Sequence, residues 1–129
     1  MLFGEARNCS ELEKIAIAHT AINRAKDNKK WNGTTVKESI LKPGQYTCFN
    51  KNDPNRQKLL DPRKYDASSF EKCLEISRGV LSGGHKDPTN GATHYHTSAV
   101  NPSWAKKMRP LGRIKTPKEP SKHFFYREN

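Results

Sequence analysis

Three segments of the chain carry a pattern that starts α-helices, and they favour a fold built mainly of helices. In each, a serine or threonine precedes a glutamate by three residues: Ser10–Glu13, Thr35–Glu38 and Ser68–Glu71. The hydroxyl accepts a hydrogen bond from an early helix amide, and the glutamate reaches back to an amide of the cap. This capping role explains Glu13, Glu38 and Glu71 without any catalytic function.

The spacing of apolar residues predicts the extent of each element. Positions 12, 15, 16, 22 and 25 are apolar at helical intervals, which predicts a helix over 11–25. A short helix is predicted through Leu41 and a longer one from Phe70 to Leu81, because glycine-containing pairs follow both. Strands are predicted at 45–49, 92–97 and 123–126, a single helical turn at 103–108, and loops at 50–65 and 115–122.

Length and charge bound the number of domains and the kind of partner. The 129 residues are enough for one domain with a modest core, which is predicted to span 1–129. Lysine and arginine number 24 against 13 acidic residues, and the net charge of +11 favours a polyanionic partner. Nucleic acid, anionic lipid headgroups and acidic polymers of a bacterial envelope all satisfy this charge. The basic residues are spread without an RNP, KH or helix-turn-helix signature, so no specific nucleic acid is expected.

The cysteines and the hydropathy indicate the compartment. Cys9, Cys48 and Cys73 are odd in number and form no CxxC pair, which favours a reducing compartment with three packing thiols. One disulfide with one free thiol is the alternative. No apolar run is long enough to cross a membrane and no signal peptide is visible, so membrane insertion is not expected. The chain is predicted to be made in the cytoplasm and to leave it without a signal peptide.

Glu5 is an acidic residue that capping does not explain, because its neighbours Leu2, Phe3 and Ala6 are apolar. The segment at 1–9 is too short to be a stable helix alone, so tertiary packing of Leu2 and Phe3 must hold it. A carboxyl group drawn into an apolar cleft has a raised pKa and can donate a proton near neutral pH. The alternative is a buried glutamate paired with one of the many arginines.

The run His94-Tyr95-His96 offers a second kind of chemistry. On a strand the two imidazoles lie on one face, and together with His123 or Cys48 they offer the donors of a zinc site. This spacing is generic, and histidines that line a polar groove are the commoner arrangement, so neither a metal nor another cofactor is predicted. The sequence contains no GxSxG motif, P-loop or dinucleotide fingerprint.

Four segments, in order, resemble the SleB-like cell wall hydrolase family, known from spore cortex-lytic enzymes and from phage and proteobacterial proteins. They are GEARNCSELEKIAIAHTAINRA, SILKPGQYTCF, GATHYHTSAVNPSWAKKM and HFFYRE. The resemblance implies an α+β fold that is lysozyme-like and related to lytic transglycosylases, mainly helical with a small β element. The chain departs from the family pattern at Asn8-Cys9, in the loop KTPKEP and over 50–65, which affects subsite shape and substrate preference.

The same resemblance implies roles for individual residues. It places the family's essential acid on Glu5. The substrate-binding residues that it implies are Tyr46, Thr47, Tyr95, His96, Trp104, His123 and Tyr126. Tyr46, Tyr95 and Trp104 offer rings for stacking on sugar faces. Thr47 offers a hydroxyl that positions a substrate group or a water molecule.

The expected function is cleavage of the MurNAc–GlcNAc glycan strand of peptidoglycan. Glu5 is the one good acid candidate in a matching block, so a lytic transglycosylase with a single glutamate as acid and base is predicted instead of a two-carboxylate scheme. A hydrolytic muramidase and an amidase of the same family are the alternatives. From a different class, the alternative is a non-enzymatic basic module that binds wall polymer or nucleic acid.

The expected partners are peptidoglycan glycan strands and anionic envelope polymers, to which the positive charge would hold the protein in a salt-sensitive way. The chain is expected to act as a monomer. Because no signal peptide is visible, it is expected to reach the wall as a phage lysis protein of the endolysin type or as part of a virion.

Overall fold

In the computed structural model, the described residues form five α-helices followed by a three-stranded sheet. The described residues are 1–27, 29–42, 46–117 and 119–128, without the side chains of Lys30 and Thr47. The elements are α1 (Leu2–Ala6), α2 (Glu11–Lys26), α3 (Val36–Leu41), α4 (Pro54–Leu60), α5 (Pro62–Leu81), β1 (His94–Thr97), β2 (Arg109–Gly112) and β3 (His123–Arg127). Short 3-10 helices cover Lys30–Asn32, Thr47–Phe49 and Ser103–Lys107. The predicted α+β class, mainly helical, is confirmed.

The first two predicted helix starts are confirmed. The Ser10 hydroxyl accepts a hydrogen bond from the Glu13 amide at 3.2 Å, and α2 then runs to Lys26. The Thr35 hydroxyl accepts a bond from the Glu38 amide at 3.1 Å and starts α3. The Pro43-Gly44 pair that was expected to end α3 lies outside the described residues.

The third helix start is wrong, because α5 begins earlier than Ser68. Pro62 occupies its first turn, and the helix is kinked at Asp66, where φ is −161° and ψ is 87°. The Asp66 carboxylate accepts hydrogen bonds from the amide and the hydroxyl of Ser69, so it caps the second part of the helix. Glu71 is not explained by capping, since its carboxylate forms an exposed salt bridge with Arg63 at 2.8 Å.

Two further predictions, between α3 and α5, are wrong. The loop expected at 50–65 contains α4 and the start of α5, because its Asp-Pro pairs start helices instead of turns. Asp53 caps α4 by accepting a hydrogen bond from the Asn55 amide at 2.8 Å. The strand expected at 45–49 is a 3-10 helix over Thr47–Phe49, while Gln45 lies outside the described residues.

The sheet places β3 between β1 and β2, antiparallel to both. The strands predicted at 92–97 and 123–126 are confirmed as β1 and β3. Tyr95 pairs with Phe125 across these strands, and His96 pairs with Phe124. Because side chains alternate along a strand, the first pair lies on the inner face of the sheet, against the helices, and the second on its outer face. The helical turn predicted at 103–108 is confirmed as the last 3-10 helix.

The main core lies between the helices and the inner face of the sheet. Leu2 and Phe3 are 4% and 3% exposed, so tertiary packing holds α1 as predicted. They join Ile17 of α2, Ile76 of α5 and Phe125 of β3 in one hydrophobic cluster. Within the described ranges, no helix is both long enough and apolar enough to span a membrane. The three cysteines are free.

The loop that leads into β1 is fixed to α2 by buried polar side chains. Asn23 donates hydrogen bonds to the Asp87 carboxylate at 2.9 Å and to the Ala92 carbonyl at 2.8 Å. Arg24, which is 3% exposed, donates through Nε to the Thr93 carbonyl. These contacts orient β1, and with it Tyr95, relative to α2.

The Glu13 side chain ties α2 to β3, so its predicted role as a helix cap is wrong. Glu13 is 2% exposed. Its carboxylate accepts hydrogen bonds from the amides of Lys122 and His123 at 3.1 and 3.0 Å, and from His123 Nδ1–H at 2.6 Å. Burial alone would raise the pKa of Glu13, but these hydrogen bonds outweigh it and hold the pKa below its ordinary value. Glu13 is therefore an ionised acceptor near neutral pH.

We expect Glu13→Gln to destabilise the protein by about 2–3 kcal/mol at pH 7, because a charged acceptor of several hydrogen bonds is lost. A carboxyl whose folded pKa is depressed stabilises above its unfolded pKa of about 4.3, and this contribution disappears as the pH falls through the folded value. The stability difference between wild type and variant should therefore shrink below about pH 4. Urea unfolding followed by circular dichroism, from pH 7 to pH 3, measures it.

The matched control is Glu11→Gln, two positions away on the same helix. The Glu11 side chain is 54% exposed and lies 3.4 Å from the Lys72 ammonium, so its removal should change stability by less than about 1 kcal/mol. Equal stability of the two variants at pH 7 would contradict the assignment, as would a deficit for Glu13→Gln that persists undiminished into acid.

Candidate active site

Glu5 lies in α1 with its side chain half-buried. Burial raises the pKa of its carboxyl group, the Tyr95 hydroxyl and His123 oppose this rise, and the negative Asp53 adds to it. The net result is a pKa above the ordinary value, so more of the carboxyl keeps its proton near neutral pH. In the described part of the chain, Glu5 forms no salt bridge with an arginine, which was the alternative for a buried glutamate.

The Tyr95 hydroxyl is the polar side-chain group with the largest effect on the pKa of Glu5. It is buried and has no hydrogen-bond partner among the described residues, yet it lies close enough to the Glu5 carboxylate to lower the pKa of Glu5. Burial raises the pKa of Tyr95 well above its ordinary value, so the hydroxyl keeps its proton. A buried unpaired hydroxyl costs about 1–3 kcal/mol. The Tyr95 hydroxyl can therefore donate a hydrogen bond, and the ionised Glu5 carboxylate is the nearby acceptor.

His123 connects Tyr95 to Glu13. Its ring meets the Tyr95 ring edge-on, with centroids 5.0 Å apart and planes at 90°. Its Nδ1–H donates to Glu13, an assignment that follows from the ionised state of that carboxylate. His123 is 7% exposed, so it fixes the inner wall of the site and offers little surface to a ligand.

Tyr46 packs beneath the site instead of facing solvent. It is 2% exposed, its hydroxyl lies 3.2 Å from the Thr20 hydroxyl, and the Arg24 guanidinium lies 4.8 Å from its ring centroid. In this structure no face of the Tyr46 ring is open for stacking on a sugar, so we assign it a supporting position. The prediction for Thr47 concerns a side chain outside the described ones.

The remaining predicted site residues, His96, Trp104 and Tyr126, form a separate group on the outer face of the sheet. The Tyr126 hydroxyl donates to His96 Nε2 at 2.8 Å, and His96 Nδ1–H donates to the Thr97 carbonyl at 2.8 Å, a pairing that assigns the tautomer. The Trp104 ring stands perpendicular to the Tyr126 ring, 5.3 Å away. All three are half-exposed, so they form an aromatic surface open to solvent.

The two faces of the sheet separate the histidines that the zinc hypothesis combined. His94 and His96 lie on the outer face, whereas His123 lies on the inner face. Burial and the nearby Arg24 lower the pKa of His94 to about 4, so its imidazole is neutral at pH 7. The described residues therefore do not bring these three histidines together around one ion.

Sequence reasoning missed three residues that shape the site. Asp53 acts on Glu5 through its charge, and its only sequence signal is an Asp-Pro pair, which is also typical of turns. Arg24 packs on Tyr46. It lies in the segment GEARNCSELEKIAIAHTAINRA that resembles the family, but arginines are too frequent in this chain to single it out. Glu13 holds His123, and its capping pattern concealed that role.

A groove of about 750 Å³ lies beside this site, between the start of α2 and residues 116–117 and 119–122. Cys9, Glu13 and Lys122 line it, and Glu5 does not. The size of the groove therefore does not identify the site of the acid. That assignment depends on the burial of Glu5 and on the groups around it.

Comparisons with solved structures identify the fold. The catalytic domain of the germination-specific lytic transglycosylase SleB from Bacillus anthracis is similar with a TM-score of 0.68 and 21% identity, covering 98% of this chain and 87% of that one. The catalytic domain of the SleB protein from Bacillus cereus has a TM-score of 0.61 and 21% identity, covering 98% and 83%. These matches confirm the lysozyme-like fold.

Comparison at the level of sequence identifies the family. The search of curated proteins finds no match. The sequence profile of the Cell Wall Hydrolase family matches residues 9–126, which is most of the chain, although the matched span begins after Glu5. The fold also agrees with the resemblance of the sequence blocks. Because the family profile matches most of its length, the chain belongs to the Cell Wall Hydrolase family.

Proposed function

We propose that this protein cleaves the MurNAc–GlcNAc glycan strand of peptidoglycan as a lytic transglycosylase, with Glu5 as its single acid and base and residues 1–129 as one catalytic domain. The observation that carries the proposal is the half-buried Glu5 carboxyl with a raised pKa, next to the unpaired Tyr95 hydroxyl. Membership of the family supports a peptidoglycan substrate. The SleB catalytic domain, named as a lytic transglycosylase, supports the reaction type.

The proposed reaction uses the Glu5 carboxyl group twice, first as an acid and then as a base. Neutral Glu5 donates its proton to the glycosidic oxygen as positive charge develops on the sugar ring and the bond from C1 to that oxygen breaks. The Glu5 carboxylate then takes the proton of the same sugar's 6-hydroxyl while O6 bonds to C1. The product is a 1,6-anhydro sugar, Glu5 is neutral again, and no water is consumed.

Tyr95 and His123 make this cycle easier by stabilising the charged form of Glu5. Both lower the pKa of Glu5 against the effect of burial, so the carboxylate formed after proton transfer has a donor beside it. Burial favours the protonated form of the acid. The Tyr95 hydroxyl lowers the free energy of proton release, because it stabilises the carboxylate. This balance is what a group that alternates between acid and base requires.

The outer aromatic surface and the net charge of +11 support binding to the wall. Half-exposed Trp104 and Tyr126 rings suit sugar faces, and the positive charge suits anionic envelope polymers. Action as a monomer, and delivery by a phage lysis system or within a virion, stay predictions of the sequence.

The hydrolytic alternative rests on Asp53, whose negative charge acts on Glu5. A two-carboxylate glycosidase uses its second carboxylate as a base or nucleophile. In the proposed mechanism Asp53 only tunes Glu5, and its carboxylate already caps α4. We expect Asp53→Asn to retain turnover within about tenfold of wild type and to give the same anhydro product. Loss of turnover comparable to that of a Glu5 variant, in a folded protein, would favour hydrolysis.

Glu5→Gln is the direct test of the mechanism. We expect turnover on purified peptidoglycan sacculi to fall by about 10²–10⁴-fold, the contribution of a general acid and base, while sedimentation with sacculi is unchanged. Mass spectrometry of the wild-type digest should show anhydromuropeptides, lighter by one water than the products of hydrolysis.

Each rival gives a different result in that experiment. Reducing-end products without the loss of water indicate a muramidase, and glycan strands stripped of peptides but uncut indicate an amidase. Sedimentation of both wild type and Glu5→Gln with sacculi, with no cleavage product from either, would indicate a binding module. Glu75→Gln, at a side chain 74% exposed on α5, controls for the loss of one negative charge and should keep full turnover.

The same Glu5→Gln variant should be more stable than wild type at pH 7. A carboxyl whose folded pKa is raised destabilises the folded state once the pH exceeds its unfolded pKa of about 4.3, and glutamine removes that penalty. The gain in Tm should therefore vanish as the pH falls below about 4.3. Thermal unfolding at pH 7 and pH 4 measures this gain. A variant less stable than wild type at pH 7 would contradict a Glu5 carboxyl whose pKa is raised by burial.

A further inference from the structure

A second cluster of reactive side chains shares His123 with the surroundings of the proposed acid and adds Cys9, which the mechanism does not use. Cys9, Glu13 and His123 each present one ligand atom, and these atoms all lie within 4.8 Å of one another. They come from three separate elements: the turn before α2, the first turn of α2 and the first residue of β3. The folded chain assembles this cluster from positions more than a hundred residues apart, as the Glu13–His123 contact shows.

The donor set has the chemistry of a zinc site. A thiolate, an imidazole and a carboxylate are the three kinds of side-chain ligand that Zn²⁺ takes, and three protein ligands leave a fourth tetrahedral position open. Hard cations such as Mg²⁺ prefer oxygen ligands only. The combination of sulfur and nitrogen with a single carboxylate therefore favours Zn²⁺.

The cluster is accessible from solvent on one side. Cys9 is half-buried and, with Glu13, lines the 750 Å³ groove, whereas Glu13 and His123 are 2% and 7% exposed. An ion in the groove reaches Cys9 and Glu13, and the ligand atom of His123 lies within 4.8 Å of theirs. Glu13 is held by backbone amides of Lys122 and His123, which is the kind of support that orients a metal ligand.

We propose that Cys9, Glu13 and His123 form a Zn²⁺-binding site that opens onto this groove. Binding transfers one proton to solvent, from the Cys9 thiol, whose sulfur then bonds to the metal as thiolate. Neutral His123 shifts its proton from Nδ1 to Nε2 by exchange with solvent, so that Nδ1 binds the metal. The Glu13 carboxylate loses the hydrogen bond from Nδ1 and binds the metal instead. Two negative ligands then balance the charge of the ion.

Metal ligands must be deprotonated, so binding releases the proton of the Cys9 thiol and should tighten as the pH increases. The sulfur comes from Asn8-Cys9, one of the places where this chain departs from the family pattern.

The test is metal titration of the full chain after treatment with a chelator. Calorimetry at pH 7.5 should show one Zn²⁺ per chain, and Cys9→Ser should weaken the affinity by at least about tenfold. Co²⁺ should give a thiolate charge-transfer band in wild type that Cys9→Ser lacks. His85→Gln, which removes an imidazole from the same groove, should keep both properties. The absence of a one-to-one Zn²⁺ complex, or equal affinity of Cys9→Ser and wild type, overturns the proposal.

A second measurement needs no variant and so covers a failure of Cys9→Ser to fold. One equivalent of Zn²⁺ should slow the alkylation of Cys9 by iodoacetamide, scored by mass spectrometry of its peptide. The buried Cys48 and Cys73 are 0% and 3% exposed and serve as internal references. An unchanged rate at Cys9 would count against the site. None of these readouts depends on glycan cleavage, so the site and the proposed function can fail separately.

Discussion

The three hydrogen bonds that end on the Glu13 carboxylate hold the rest of the site in place. They join the first turn of α2 to the start of β3, and β3 is the central strand of the sheet. Through the ring of His123, the same contact supports Tyr95 beside Glu5. Burying an ionised carboxylate is costly unless it is paired and hydrogen-bonded, so these three bonds are what allow Glu13 to occupy this position.

The helices with a cap and a regular apolar stripe were predictable from the sequence, and α2 is the clearest case. A Ser-x-x-Glu pattern specifies that the serine reaches the third amide, but it leaves the direction of the glutamate side chain open. For Glu13 a strand 110 positions away competes successfully. The Asp-Pro pairs of the segment 50–65 are equally ambiguous, since proline suits both a turn and a first helical turn, and tertiary packing decides.

The candidate site was predictable only in part, because local sequence determines some of its features and strand register determines the others. Burial of Leu2 and Phe3 draws Glu5 into an apolar setting, and that much follows from local sequence. Which of the aromatic residues share its surroundings depends on strand register, and a register places alternate residues on opposite faces. Tyr95 therefore lies near Glu5 while His96, its neighbour in sequence, lies with Tyr126 on the other side of the sheet.

The position of β3 at the end of the described chain has a consequence for biosynthesis. The ribosome releases Glu5 first and His123 more than a hundred residues later, and α1 is too short to keep its shape unaided. Until β3 inserts between β1 and β2, the Glu5 carboxyl stays hydrated and keeps its ordinary pKa. An incompletely synthesised chain that lacks β3 therefore also lacks the surroundings that raise the pKa of Glu5.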